Sequence, residues 1–354
     1  MSVCLGVPRE IKPMEGRVAL TPSAVAELVH DGCKVCVQAG AGLGSGYSDQ
    51  AYADAGAMLV YSADALYEAV ELVVKVKEPV GRELELLKSH HRLFSYLHLA
   101  ALPQLTEKLC QIGLTAIAFE TVADHGTLPL LQPMSEIAGR IAIQVGAHLL
   151  HTTQGGRGLL LGGVAGVDRG HVVVLGAGHA GGSAARLAAA MGARVCVFDR
   201  NPLRLGEMQQ AASNIEARYA NNKDMRKAMR EADILVGAVL LPGAHAPRLL
   251  SREDVATMRP GSVIVDISVD QGGCIETTRP TSYDDPTYVE EGVTHFCVTN
   301  MPGAVPRSAS QALSGAMLPY LRELVRPEWR AMPALAKAVN VDQGKVVLPA
   351  LLAG

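Results

Sequence analysis

Short apolar runs rich in β-branched residues alternate with longer amphipathic stretches through most of this chain. Residues 2–7 open as a strand. Residues 21–31 read as a helix, capped by Thr21, started by Pro22 and stopped by Gly32. Strands are expected at Lys34–Gln38, 71–77, 93–99 and 115–119, with a helix over 102–112 between the last two. A long helix is expected over 135–153, where Ser135 and Glu136 follow Pro133 and Gly155 with Gly156 ends it. Further strands fall at 233–239, 262–267 and 295–299, and helices at 222–231 and 251–258. A last helical pattern covers 308–324, bounded by Pro306 and Pro327, and the tail from 333 to 354 shows little periodicity. Strand–helix–strand repetition of this kind predicts parallel sheets covered on both faces.

The stretch 171–200 adds chemistry to that pattern. Val172 to Leu175 form a β-branched run, Gly176, Gly178 and Gly181 spell G-x-G-x-x-G at the start of an alanine-rich helix, and Asp199 closes the next strand. Chance glycines could make an ordinary strand–helix turn. Strand, turn, helix, second strand and terminal acid in this order instead predict a dinucleotide site. Gly176 permits the tight turn, Gly178 lets backbone approach a pyrophosphate, and Gly181 lets helix pack on strand. The helix N-terminus offers N–H groups to the phosphates. Asp199 suits a ribose diol and repels a 2′-phosphate, which favours NAD over NADP. Arg200 and Arg204 nearby could pair with such a phosphate, so both remain open on this evidence.

The expected fold class is therefore α/β: two doubly wound Rossmann-like domains with parallel sheets and a cleft between them. Residues 1–134 plus 306–354 would form a catalytic, substrate-binding domain, and 135–305 an NAD-binding domain, with the last helix crossing back to the first. A length of 354 residues supports two such cores. A net charge of −3 without a basic tract argues against nucleic acid or an anionic membrane as partner. No secretory leader and no bilayer-length apolar run are visible, so a soluble, cytoplasmic chain is expected. Seven scattered cysteines suit a reducing compartment. Cys33 and Cys36 spell C-x-x-C, but no second ligand pair follows, and a plain strand is the favoured reading. No cluster calls for a metal.

Ligands in doubly wound sheets bind at the carboxyl ends of strands, and four residues meet that test. Lys77 ends the run 71–77; Lys75, two residues earlier, would point the same way and reads as a rim lysine. His98 lies at the carboxyl end of the run 93–99 and could be an acid–base group or a structural histidine. Arg17 lies between the first strand and first helix, where it could fork onto a small carboxylate or pair at the surface with Glu15 or Glu10. Asp270 has cleared the strand 262–267, and Gly272 with Gly273 lets the loop turn; it could face a nicotinamide or simply cap a turn.

At this point the sequence resembles the alanine dehydrogenase / pyridine nucleotide transhydrogenase family. The blocks GVPREIKPMEGRVALTP, LVVKVKEP, YLHLAA, PMSEIAGR, TQGGRG, LLGGVAGV, VVVLGAGHAG, GAVLLPGAHAP, VDISVDQGGCIETTRPT and VTNMPGAVPRS carry the likeness in order over nearly the whole chain. The resemblance implies L-alanine dehydrogenase chemistry: reversible, NAD-dependent oxidative deamination of L-alanine to pyruvate and ammonia by a homohexamer. It implies that Arg17 and Lys77 bind the substrate carboxylate, that His98 is the acid–base residue and that Asp270 places water. Cofactor contacts would come from Ser135, Gly176, Gly178, His179, Ala180, Gly181, Asp199, Arg204, Val239, Leu240, Ile267, Asp270, Arg279, Val298, Asn300 and Met301. Position 220 is Ala where some relatives carry Ser, and His179 is bulkier and more polar than its counterpart in some relatives. A transhydrogenase-type subunit, an opine-forming or lysine-pathway relative and a non-catalytic NAD sensor are the rival readings.

Overall fold

The computed structural model describes residues 3–239 and 246–352. The chain divides into two compact units, one running to Met134 and resuming at Gly303, the other Ser135–Pro302. The first crossing falls inside the helix Gln132–Leu149, and the second at Gly303 rather than at 306. Pro133 lies in the first turn of that helix, where its missing N–H costs nothing, so the helix starts before Ser135.

In the first unit β1 (Cys4–Val7), β2 (Lys34–Gln38), β3 (Met58–Val60), β4 (Leu72–Val74), β5 (Arg92–Ser95) and β6 (Thr115–Ala118) form a parallel array in the order β6-β5-β4-β1-β2-β3. The order reverses between β1 and β4, the kind of switch point outside whose strand carboxyl ends ligands bind in such sheets. The helix Pro22–His30 is capped by the Thr21 hydroxyl, as its sequence foretells. Val73, Leu93, Leu97, Leu109 and Ala116 lie in one buried apolar cluster. Each fully buried side chain of the Val or Leu class there contributes roughly 1.5–3 kcal/mol.

In the second unit β7 (His171–Leu175), β8 (Arg194–Asp199), β9 (Ile215–Tyr219), β10 (Ile234–Gly237), β11 (Val263–Asp266), β12 (Thr287–Glu290) and β13 (Val293–Phe296) pair in the order β12-β13-β11-β10-β7-β8-β9. Here the reversal lies between β7 and β10, which are direct neighbours. The buried cluster around Val173, Phe198, Met225, Leu235 and Ile264 fills one side of this sheet.

Three features correct the sequence reading. The sheets are mostly, not wholly, parallel: β12 and β13 form an antiparallel hairpin, turned by Glu291 and Gly292, which both have positive φ. The tail forms regular structure within the described residues too. β14 (Val339–Asp342) and β15 (Lys345–Val346) extend the first unit to an eight-stranded sheet among the described residues, β14 running antiparallel to β6. Finally, β4 and β5 end at Val74 and Ser95, short of Lys77 and His98, so Lys75 and Lys77 do not share a strand face. Beyond those ends the N–H groups of Val76 and Leu97 bond carboxylates instead of a neighbouring strand. No helix among the described residues is long and apolar enough to cross a membrane.

Candidate active site

Arg17, Lys77 and His98 follow β1, β4 and β5, three adjacent strands of the first sheet. Arg17 is only 3 % exposed. Its Nε and Nη2 donate to the two oxygens of Glu15 at 2.7 and 2.5 Å, and its Nη1 lies 3.3 Å from the Met134 sulfur. Of the readings open for Arg17, the surface pair is therefore excluded: the ion pair with Glu15 is buried. Burial opposes the guanidinium charge, and the Glu15 carboxylate outweighs it and holds the group above its ordinary value. Lys77 is half-buried. Burial first, and repulsion from Arg17 second, push its amine below the ordinary lysine value, against the pull of Glu78 and Glu15. Two cations close enough to repel, beyond the ends of β1 and β4, form a natural receptor for a carboxylate.

His98 is exposed and left-handed, with φ 50° and ψ 37°. The Glu120 carboxylate, just past β6, holds this turn by accepting the N–H of His98 at 2.5 Å and that of Leu97 at 3.1 Å. The His98 imidazole stacks on Tyr96, with ring centroids 6.0 Å apart and planes 12° apart. Tyr96 in turn is fixed by its hydroxyl, which donates to the Leu130 carbonyl at 2.5 Å, and it interacts electrostatically with Arg17. Glu15, Tyr96 and Glu120 were not selected by sequence reasoning as site residues. The available signal was position alone: Glu120 follows β6 much as His98 follows β5.

Lys75 departs most from expectation. It is wholly buried, with its Nζ 2.9 Å from Glu83 and 3.4 Å from Glu10. Burial disfavours the ammonium, but Glu10 and Glu83 outweigh that cost and raise it above its ordinary value. It is an internal cation, not a rim lysine.

In the second unit the glycine turn has the shape that its spacing predicts. Gly176 has φ +100°, and a Cβ there would lie 2.5 Å from the Ala238 carbonyl oxygen. A Cβ on Gly181 would lie 1.8 Å from the Gly176 oxygen. Gly178 caps the helix His179–Ala190, and a Cβ on it would meet nothing nearer than Arg204 Nη1 at 3.8 Å. The turn thus keeps an open backbone face at a helix N-terminus, the cradle that a pyrophosphate would occupy. Ala180 packs its carbonyl against Gly139, whose Cβ would lie 2.1 Å from that oxygen, while His179 is exposed. Ser135 is half-buried on the helix Gln132–Leu149.

Asp199 ends β8 and accepts N–H groups from Ala177 at 2.6 Å and Asn201 at 2.8 Å, so it also pins the glycine turn. Ala220 donates its N–H to the Asp199 carbonyl, which places position 220 beside the expected ribose end. Asp270 is exposed on the 3-10 turn Ile267–Gln271, whose start is capped by the buried Asp266 carboxylate through Ser268 N–H. Asp266 also accepts from Cys274 N–H and the Thr278 hydroxyl, and Ser268 Oγ accepts the Val239 N–H. Arg279 lays its guanidinium over Tyr288, 4.0 Å from the ring centroid. Val298 is buried, Asn300 has φ 60°, and the Met301 carbonyl accepts from Tyr283. Leu240 lies outside the described residues.

Residues 6–138 match the family model "Alanine dehydrogenase/PNT, N-terminal domain", and residues 142–349 match "Alanine dehydrogenase/PNT, C-terminal domain". The chain belongs to the alanine dehydrogenase/PNT family. It is 48% identical to an alanine dehydrogenase of Mycolicibacterium smegmatis over 353 residues, covering 98% of this chain and 95% of that one. A solved L-alanine dehydrogenase superposes with a TM-score of 0.95 at 50% identity, covering 99% of this chain and 98% of that one. A transhydrogenase from Sinorhizobium meliloti superposes with a TM-score of 0.84 at 29% identity, covering 98% and 99%. Solved structures similar to this chain thus include a dehydrogenase and a transhydrogenase, and the side chains of each unit bear on which chemistry this chain performs.

Proposed function

We propose that this chain catalyses the reversible oxidative deamination of L-alanine to pyruvate and ammonia with NAD. Near-half identity to alanine dehydrogenases along the whole chain supports the reaction. The observation that carries the residue roles is the pairing of Arg17 and Lys77 at the carboxyl ends of β1 and β4, with His98 following the next strand. Arg17 and Lys77 take the substrate carboxylate. His98, set by Glu120 and Tyr96, removes the proton from the attacking water and returns it to the departing nitrogen. Asp270 places that water. NAD, when bound, supplies the acceptor for the Cα hydride. The glycine turn would hold its pyrophosphate and Asp199 its ribose diol, with Arg204 beside the turn. A placed acid–base side chain typically accelerates such proton transfers about 10²–10⁴-fold.

A homohexamer in the cytoplasm belongs to the same reading; light scattering of the purified protein checks the assembly. The deciding experiment mixes protein, NAD and L-alanine and follows NADH absorbance. Steady NADH formation that needs alanine supports the proposal. Activity with another amino acid alone would move the substrate assignment. Hydride exchange between two nicotinamide nucleotides without any amino acid would favour the transhydrogenase rival.

A further inference from the structure

The loop that carries Lys77 is held from inside by charged side chains. Val76 and Lys77 donate their N–H groups to Glu10 at 2.6 and 3.4 Å. Val80 donates its N–H to Glu83 at 2.9 Å, and the Glu78 carbonyl lies 3.5 Å from Lys75 Nζ. Lys75 bridges the two carboxylates, and the Tyr67 hydroxyl closes the far side on Glu83 at 3.3 Å. All three charged side chains are at most 5 % exposed. A buried ion cluster is costly to assemble and is weak evidence for stability in itself. This one bonds four backbone groups of a segment without regular structure, and Glu10 lies on the loop that leads from β1 to Arg17.

We infer that Glu10, held by Lys75, which Glu83 holds in turn, is a positioning residue that fixes the Lys77 loop against the Arg17 loop and so sets the spacing of the two cations that receive the substrate carboxylate. It touches no reacting atom. The inference rests on the proposed carboxylate role of Arg17 and Lys77. A carboxylate bound alike in ground and transition states affects KM with little change in kcat. Glu10 should therefore act on KM for pyruvate and alanine and leave NADH affinity alone.

Glu10→Gln is the direct test, because its amide nitrogen would set a donor against Lys75 or the Lys77 N–H. The expected result is a rise in pyruvate KM of about tenfold, with kcat and the NADH dissociation constant within about twofold. KM and the dissociation constant do not depend on how much protein folds, so a merely structural role would lower active yield and leave both unchanged. That result would overturn the inference. If Glu10→Gln does not fold, Glu10→Asp keeps the charge and withdraws it by one methylene, and the same KM rise is expected in milder form. Lys77→Gln separates the two levels of the argument. Should it raise pyruvate KM while neither Glu10 variant does, the positioning role alone falls. Should Lys77→Gln leave KM untouched, the carboxylate assignment falls and the positioning role with it.

Discussion

The Glu120 carboxylate accepts the backbone N–H of His98 at 2.5 Å, and His98 stands at φ 50° where non-glycine residues are uncommon. The strain is held by an anion that also takes the Leu97 N–H. Glu120→Ala should release the turn, while Glu120→Gln retains one acceptor oxygen. Misplacing an acid–base group by about 1 Å can cost roughly 10²-fold. The expected outcome is a kcat loss of that order in the alanine variant, a smaller one in the glutamine variant, and unchanged NADH binding by fluorescence titration. Turnover near wild type in Glu120→Ala would show that His98 does not depend on this anchor.

Lys77 should make keto-acid binding sensitive to alkali. Its amine is pushed below the ordinary lysine value by burial and by Arg17. As pH rises through that lowered value, the ammonium loses its proton and its attraction for a carboxylate. Pyruvate KM should therefore climb with pH before an ordinary lysine would titrate, and Lys77→Arg should flatten the climb, since a guanidinium stays charged. Steady-state reductive amination at saturating ammonia across an alkaline series measures this. An identical climb in Lys77→Arg would assign the effect to another group.

Gly178 and Gly181 should fail differently when a methyl is added. At Gly181 the new Cβ would lie 1.8 Å from the Gly176 carbonyl oxygen, so backbone must move. At Gly178 the nearest neighbour is 3.8 Å away and φ is −69°, a value that alanine adopts freely. Gly178→Ala should keep the wild-type melting temperature and lose NADH affinity about tenfold or more, because the methyl occupies the pyrophosphate approach. Gly181→Ala should lose both affinity and stability. Equal melting losses in the two variants would contradict this reading of the turn.

What the sequence revealed and what it hid follow from the range of the interactions. The G-x-G-x-x-G turn and the Thr21 cap are local devices, so spacing alone displays them. Lys77, His98 and Asp270 could be placed after strands, yet the strand ends could not, because Glu10 and Glu120 intercept N–H groups that a neighbouring strand would otherwise take. Lys75 looked like a rim residue because its two carboxylate partners come from other elements. β14 was invisible for a similar reason: Val339–Asp342 is short and partly polar, and becomes a strand by pairing with the distant β6.

His91 makes the fold itself acid-sensitive. Its Nδ1 accepts the Lys88 N–H at 2.8 Å, which leaves Nε2 to donate to the Tyr67 carbonyl at 2.8 Å. The neutral ring is thus satisfied at both nitrogens, and a proton on Nδ1 would face a donor. Burial, the larger effect, pushes the imidazole below its ordinary value of 6.5; His171 and His295 are lowered by burial as well. For a base lowered on folding, the unfolded chain binds more protons, so stability is full above the unfolded value and falls as pH drops below it. A full one-proton difference is worth about 1.4 kcal/mol per pH unit. Thermal midpoints should fall between about pH 7.5 and about pH 5.5, the decline starting near the ordinary imidazole value. His91→Asn offers an oxygen to Lys88 and carries no titrating proton, so its curve should start lower and decline less steeply. A wild-type midpoint that stays level across this range would mean that the buried imidazoles are not held neutral by their partners.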